Sequence, residues 1–354
     1  MQTMNPDLSP AVGLVRPDAG PLYRIRPGVA KVQRANTLIL VSPGDGRALR
    51  MTAVGEELLP LLASGAVFGE LVQRLRQRHP GATDIEAKLA AFVDQLTRGG
   101  LLDADNAQSG RRRPSTRFAL FHPDPVAAWA AARIRAVPAI VGRLVMMFAL
   151  VAALAGIGTL IGHGRLPHPS ALWTAFSLWG LLLFVLVVVP MHEAAHALAC
   201  RLAGQPVTEG GVILHGWLVP GPYVDTSQMY RVSNLWERFW VPAAGPLVNL
   251  LALGAAAWWL TLAGGQPDEA LRAASTLFLL CAVFVYLDTN PLAPSDGSRM
   301  LEALLGDDLA RRSALSRTRA RLSSRKTVAW YRIASSAHLQ LSALLAYAWW
   351  RWAV

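Results

Sequence analysis

Charge is scarce in this sequence. Asp, Glu, Lys and Arg make up 16% of its 354 residues while hydrophobic residues reach 53%, against about 25% and about 45–50% in an average soluble domain. That deficit excludes disordered, coiled-coil and collagen-like chains and points to a membrane. Acidic residues are scarcer than basic ones, 23 against 34 for a net charge of +11, so the basic residues should cluster on one side of a bilayer. Only two cysteines occur, Cys200 and Cys281, both in apolar stretches; they cannot build a disulfide framework and read as small core residues. The first twenty residues hold no run of seven apolar residues, so no secretory signal is expected there and the amino terminus should stay in the cytosol.

Up to about residue 105 the apolar residues are periodic and interrupted by charge, as in a small soluble domain. Residues 37–41 (TLILV) and 47–51 (RALRM) flank the turn-forming SPGDG and predict a hairpin, with an earlier strand near 22–26. Helices are expected at 53–63 and 68–78. Thr83 with Glu86 predicts a capping box opening a third, whose Ile85, Leu89, Phe92 and Leu96 share one face before Gly99-Gly100 ends it. A strand pair followed by three helices is a winged-helix-like pattern. Arg47 and Arg50 read as a solvated strand face that could also attract an acidic peptide.

Residues 105–138, with Arg111-Arg112-Arg113 and several prolines, read as a basic linker leading to the bilayer surface. Beyond it lie uncharged stretches at 144–162, 171–191 and 239–263, a shorter one at 273–287 and a weaker one at 333–350. The first three are long enough to cross about 30 Å of hydrocarbon; the fifth would span or lie in the interface. Trp173, Trp236, Trp240, Trp258, Trp259, Trp349, Trp350 and Trp352 fall near the ends of these stretches, as an aromatic belt requires. The expected fold is therefore an α-helical polytopic membrane protein of four to five transmembrane helices with a small α+β domain before them. Arg111–Arg113, Arg117, Arg133 and Arg135 precede the first stretch, and Arg311, Arg312, Arg317, Arg319, Arg321, Arg325 and Lys326 follow the fourth. This alternation puts the amino-terminal domain and the basic tail on the cytoplasmic side. The arginines flank spans without aromatic interleaving, so nucleic acid is not an expected partner.

The second stretch ends in VVVPMHEAAHALAC. Ionisable groups inside a span are costly and mark function. His192 and His196 are one helical turn apart and can offer two imidazole nitrogens to one zinc ion, with Glu193 beside them as general base. With eight His and nine Glu in the chain, this HExxH pattern is expected by chance only about 0.005 times. A catalytic zinc wants three protein ligands and an open position. The fourth stretch ends YLDTNPLAPSDGSRML and offers Asp288 and Asp296, between which spacing does not choose; His215, Asp225 and Glu302 are weaker candidates. Pro190 removes one helix hydrogen bond just before the first histidine and is expected to kink or open the helix.

HEAAH at the end of a span, AGPLVN (244–249) in the next and NPLAPSDG after a later one resemble, in that order, the site-2 protease family of intramembrane zinc metalloproteases. The resemblance covers about 139–302. It implies one zinc ion on His192, His196 and Asp296, Glu193 as the catalytic base, Asp288 as a mere helix end, and Asn249 and Asn290 holding substrate or shaping the site. No PDZ-like insertion or CBS-like tail accompanies it. Residues 22–104 separately resemble the PqqD-like domain, or RiPP recognition element, a winged-helix module that binds leader peptides of ribosomally made natural products. TLILV, GEELLPLL and AAFVDQLTRGGLL carry that likeness, which implies a leader added as an extra strand against the third helix; DNA binding is the other use of such a fold. Residues 303–354 form a basic cytoplasmic segment and a carboxy-terminal membrane helix. Together the resemblances imply a bacterial inner-membrane metalloprotease that cleaves a leader-bearing or membrane-associated precursor peptide. Cleavage of a membrane-anchored regulator, and a non-hydrolytic receptor or export partner, are the competing expectations.

Overall fold

A computed structural model of the chain describes residues 20–34, 37–42, 48–104, 117–215, 219–263, 268–315 and 323–353. The first nineteen residues, Arg47, Arg111–Arg113 and Arg317, Arg319 and Arg321, all used above, lie outside the described residues. Two compact units emerge: one from the chain up to Val29 together with Val54–Arg112, the other from Ala30–Ala53 together with Arg113–Val354.

In the first unit, β1 (Leu22–Ile25) is the middle strand of a small antiparallel sheet. It sits between β5 (Ala66–Val67) and β6 (Leu102–Ala104), with Tyr23 opposite both Ala66 and Ala104. The three expected helices are present as α1 (Ala53–Ser64), α2 (Phe68–Arg78) and α3 (Ile85–Arg98). Leu58, Leu59 and Leu62 of α1, Leu71, Val72 and Leu75 of α2, and Ile85, Leu89, Val93 and Leu96 of α3 are buried. Val93 rather than Phe92 completes the α3 face, since side chains four apart overlie one another more closely than those three apart when the stripe drifts around the helix. The Thr83–Glu86 capping box does not form. Asp84 precedes α3 in the left-handed region (φ 60°) with no side-chain cap, and Glu86 is drawn instead to the Arg76 guanidinium, a charge-assisted contact that outcompetes a neutral cap.

The second unit opens with the predicted hairpin, extended by one strand into a meander. β2 (Ala30–Arg34), β3 (Thr37–Val41) and β4 (Ala48–Arg50) lie in that order, Leu40 facing Lys31 on one side and Leu49 on the other. As middle strand, β3 buries Leu38, Ile39, Leu40 and Val41 in succession. Residues 117–136, expected as linker, are instead β7 (Arg117–Phe121) and α4 (Asp124–Ala136). Their prolines are compatible with structure because Pro123 and Pro125 fall at the start of α4, where missing N–H groups cost nothing. β7 pairs with β8 (Gly210–His215), which pairs with β9 (Val219–Val224). Asp124 accepts hydrogen bonds from Val207 N and Arg201 Nη2, both 2.8 Å, and Arg135 Nη2 donates to the Arg201 and Leu202 carbonyls at 2.8 and 3.1 Å. These contacts satisfy the carbonyl end of the helix that carries the histidines.

Among the described residues four helices are long and apolar enough to cross a membrane: α5 (Ala139–Gly162), the continuous helix Leu178–Leu202, α9 (Leu235–Leu262) and α10 (Glu269–Asp288). The second starts later than the 171–191 stretch suggested, because α6 (Ala171–Thr174) is a separate turn and Ser177 caps a new start by accepting from Gly180 N. It comprises α7 (Leu178–Leu183), a π-helical turn (Phe184–Val188) and α8 (Val189–Leu202). Pro190 sits at the start of α8. Its missing N–H and the ring's clash with a carbonyl one turn back are met by widening the turn before it.

Helix α9 is the hub, packed against α5, α8, α10 and α11 (Asp296–Leu304). Close approach uses small residues: Gly254 lies on the Ala153 backbone, and Gly156 lies under Trp258, whose Nε1 donates to the Ala152 carbonyl at 2.8 Å. Leu160, Phe184, Val188, Leu253, Leu277 and Phe278 form the apolar core between spans. Outward, Val145, Phe148, Val151 and Leu154 of α5 are exposed, a surface suited to lipid. After α11 come α12 (Ala310–Leu315) and α13 (Arg325–Ala353); α13 contains the fifth stretch and is not among the four apolar spans. A buried Arg238–Asp308 ion pair ties the start of α9 to the turn after α11.

Candidate metal centre

Three elements meet at one point. Helix α8 presents His192 and His196 from one face, both buried; α9 crosses them at Gly245; and α11 begins with Asp296. A Cβ at Gly245 would collide with both imidazole rings, so the helix crossing requires glycine there. Ser295 caps α11, its Oγ accepting from Ser298 N at 3.2 Å. Gly297 lies tight against the Thr289 backbone, which turns the Asp296 carboxylate back toward α8.

The ligand-capable atoms converge. His192 Nε2 and His196 Nε2 are 3.1 Å apart, and Asp296 Oδ2 lies 3.5 and 3.2 Å from them. Two nitrogens and a carboxylate oxygen bound to zinc at about 2.0–2.2 Å in a tetrahedron would be about 3.3–3.5 Å from one another, so the donor set fits such an ion. Among the described residues this is the group of His, Cys, Asp and Glu side chains close enough to share one metal. His196 Nδ1 donates to the Val241 carbonyl at 2.7 Å, which leaves Nε2 with its lone pair toward the cluster. Burial alone would raise the Asp296 carboxyl; the two imidazoles beside it, with Arg299 4.0 Å away, hold it well below the usual carboxylate range.

Asp288 is more than a helix end. Its Oδ2 faces His192 Nδ1 at 3.8 Å and accepts from Asn249 Nδ2 at 2.7 Å. A hydrogen bond thus ties α9 to α10 through Asn249 and Asp288, and His192 of α8 stands 3.8 Å beyond the carboxylate. The Asn249 Oδ1 atom is buried with no hydrogen-bond partner among the described residues. Asn290 is used locally: its Oδ1 accepts from Leu292 N at 2.9 Å and shapes the loop leading to Ser295. Of the weaker candidates, Asp225 holds the turn after β9 through Ser227 N at 3.0 Å and Thr208 Oγ1 at 3.2 Å. Glu302 pairs with Arg50, and the His215 side chain lies outside the described residues.

The cluster opens into a cavity of about 510 Å³ whose walls include His192, Glu193, His196, Asn249, Asp288 and Asp296, with Phe184 and Phe284 on the apolar side and Pro220–Thr226 opposite. Glu193, next to His192 on the helix, faces this space and receives the Val224 backbone N–H. Sequence reasoning missed Gly245, the Val241 carbonyl, the β9 wall and the alignment of Asp288 with His192. Only AGPLVN, by placing a glycine one helical turn before Asn249, held a signal for any of them.

Residues 180–289 match the model of peptidase family M50, and residues 37–102 match that of coenzyme PQQ synthesis protein D (PqqD). The first match takes in both histidines, Glu193, Asn249 and Asp288 and stops short of Asp296; the second runs from β3 into β6. Neither a curated protein nor a solved structure matches the chain.

Proposed function

A PqqD segment and a site-2 protease (peptidase family M50) segment joined in one multi-pass membrane chain are the premise from which we propose an intramembrane zinc metalloendopeptidase that cleaves a leader-bearing or membrane-associated precursor peptide. Its role is maturation of a ribosomally synthesised, modified peptide at a bacterial inner membrane, with the amino-terminal domain in the cytosol. The observation that carries the reading is the convergence of His192, His196 and Asp296 within bonding distance of a single ion, with Glu193 on the same cavity wall.

When bound there, zinc would supply Lewis-acid polarisation of the scissile carbonyl and of the attacking water. The protein's own groups do the rest. Glu193 takes a proton from that water and returns it to the leaving amine; the Val224 N–H beside its carboxylate fixes the orientation of the base. The Val241 carbonyl holds the His196 imidazole in the tautomer that directs Nε2 inward, and Asp288 stands as a negative charge beside His192. Phe184 and Phe284 limit solvent on one side, while the polar wall from Asp225 to Arg299 admits water and extended backbone at membrane depth. Asn249, at the cavity wall, holds the Asp288 carboxylate through its Nδ2.

The test is proteolysis in detergent or liposomes of candidate short leader-bearing precursor peptides, with product mapping by mass spectrometry. Cleavage by the wild type that disappears on chelation and in Glu193→Ala, and weakens when residues 22–104 are deleted, is the expected result. Precursor binding without cleavage by zinc-loaded protein would sink the protease reading in favour of a receptor.

A further inference from the structure

Away from the metal cavity, the second unit holds another hollow, of about 360 Å³, lined by Arg50, Glu302, Leu309, Arg311, Arg312 and Leu315. Arg50, expected as part of a solvated strand face, is not free: its side chain is 26% exposed. It donates to Glu302 Oε2 at 3.3 Å and to Tyr230 Oη at 3.0 Å, and lies over the Tyr230 ring at 5.5 Å. Glu302, 6% exposed, also accepts from Arg311 N at 3.4 Å. Of the nearby acids, Asp308 pairs with Arg238, and Asp307, which does not line the hollow, accepts from Leu309 N at 2.9 Å with no ion pair among the described residues. The Arg311 and Arg312 guanidinium groups have no acidic partner among the described residues. The wall of the hollow thus carries three arginines and one carboxylate, and that carboxylate is matched by Arg50.

A concave surface with two surplus guanidinium groups and two leucines suits a chain that alternates acidic and apolar side chains, because arginine binds carboxylates bidentately. Arg50 belongs to β4, inside the stretch that matches PqqD, and Glu302 belongs to the helix that begins with Asp296. Building on the peptide-cleaving role proposed above, we infer that this hollow is a docking site for an acidic segment of the peptide substrate, its carboxylates on Arg311 and Arg312 and its apolar side chains on Leu309 and Leu315. Glu302 lies six positions beyond Asp296 on α11, about 9 Å at 1.5 Å per residue. An extended peptide covers that distance in about three residues.

The experiment uses full-length Glu193→Ala protein, so that binding is read without cleavage and its outcome is separate from whether the protein is a protease. The probe is a fluorescein-labelled fifteen-residue peptide alternating Glu and Leu, compared by anisotropy with its Gln/Leu counterpart. At least tenfold tighter binding of the acidic peptide is expected, weakening with salt as screening grows. That advantage should vanish in the double variant Arg311→Gln/Arg312→Gln with its melting temperature unchanged. Equal affinity for both peptides, or an advantage that survives in the double variant, would overturn the inference. The titration is repeated in nanodiscs with zwitterionic or anionic lipid. Loss of acidic-peptide binding in anionic lipid alone, restored by neither salt nor excess peptide, would assign the arginines to lipid headgroups instead and overturn it too.

Discussion

The two ends of α11 carry charge in opposite states. At its start, two imidazole nitrogens and a carboxylate oxygen crowd within 3.5 Å of one another, a set of three atoms that one metal ion could share. At its far end Glu302 already has its cation in Arg50, and surplus positive charge is left over. One helix thus presents a donor set suited to a metal and an ion pair already complete. Coordination chemistry and ordinary ion pairing separate cleanly, although the same residue types build both.

The comparison is broken most severely by removing a ligand. His196→Ala or Asp296→Ala should abolish stoichiometric zinc, measured by metal analysis after dialysis, and cleavage with it, while circular dichroism stays helical. Glu193→Gln should keep the metal and lower turnover by about 10²–10⁴-fold, the range of general acid–base catalysis; loss of zinc in this variant would place Glu193 among the ligands instead. Asp288→Asn should weaken zinc by about 10–100-fold in a chelator competition, as removal of an outer-shell carboxylate does, and an unchanged affinity would return Asp288 to a plain helix end. At the other end, Arg50→Ala should leave zinc affinity intact and lower stability by about 1–3 kcal/mol, because a buried acceptor loses its partner. Burial raises the Glu302 carboxyl even against Arg50, so the folded protein holds that proton more tightly than the unfolded chain. Stability should therefore fall as pH rises from the ordinary carboxylate value through the raised one, and Arg50→Ala should steepen the fall. A pH-independent melting difference between variant and wild type would contradict this.

Much of this was readable beforehand where a period carries the information. Helices α1 to α3, the TLILV hairpin and the four apolar spans follow from spacing, and HEAAH puts two histidines on one helical face whatever surrounds them. The strand β9, VPGPYV, was not readable: its prolines and glycine are turn signals in isolation. They are accommodated because Asp225 N bonds the Glu209 carbonyl at 2.9 Å, so the ladder hydrogen bonds fall on alternate residues and Pro220 and Pro222 occupy positions facing away from β8. Likewise α4 was hidden behind prolines that merely start it, and the Thr83 cap lost to an ion pair formed across the fold. Arg50 illustrates the general limit. A strand pattern says which way a side chain points, and only tertiary structure says that an acidic residue 252 positions later waits for it.

The π-helical turn at Phe184–Val188 has a consequence for how this chain can vary. A π turn amounts to one residue inserted into an α-helix, and each α-helical residue advances the azimuth by about 100°. The half of the span before the turn, where Gly180 lies against the Ala273 carbonyl, and the half after it, where the histidines face Gly245, are therefore out of register by that one step. Deleting a single residue between 184 and 188 would relax the helix to uniform pitch without shortening its apolar length in any way a hydropathy plot would notice. It would also rotate one half against the other, so that either the helix seam at Gly180 or the histidine pair must turn toward lipid. Length at this point is thus a constraint as strict as residue identity, and relatives that keep the chemistry should tolerate substitution here far better than a change in count.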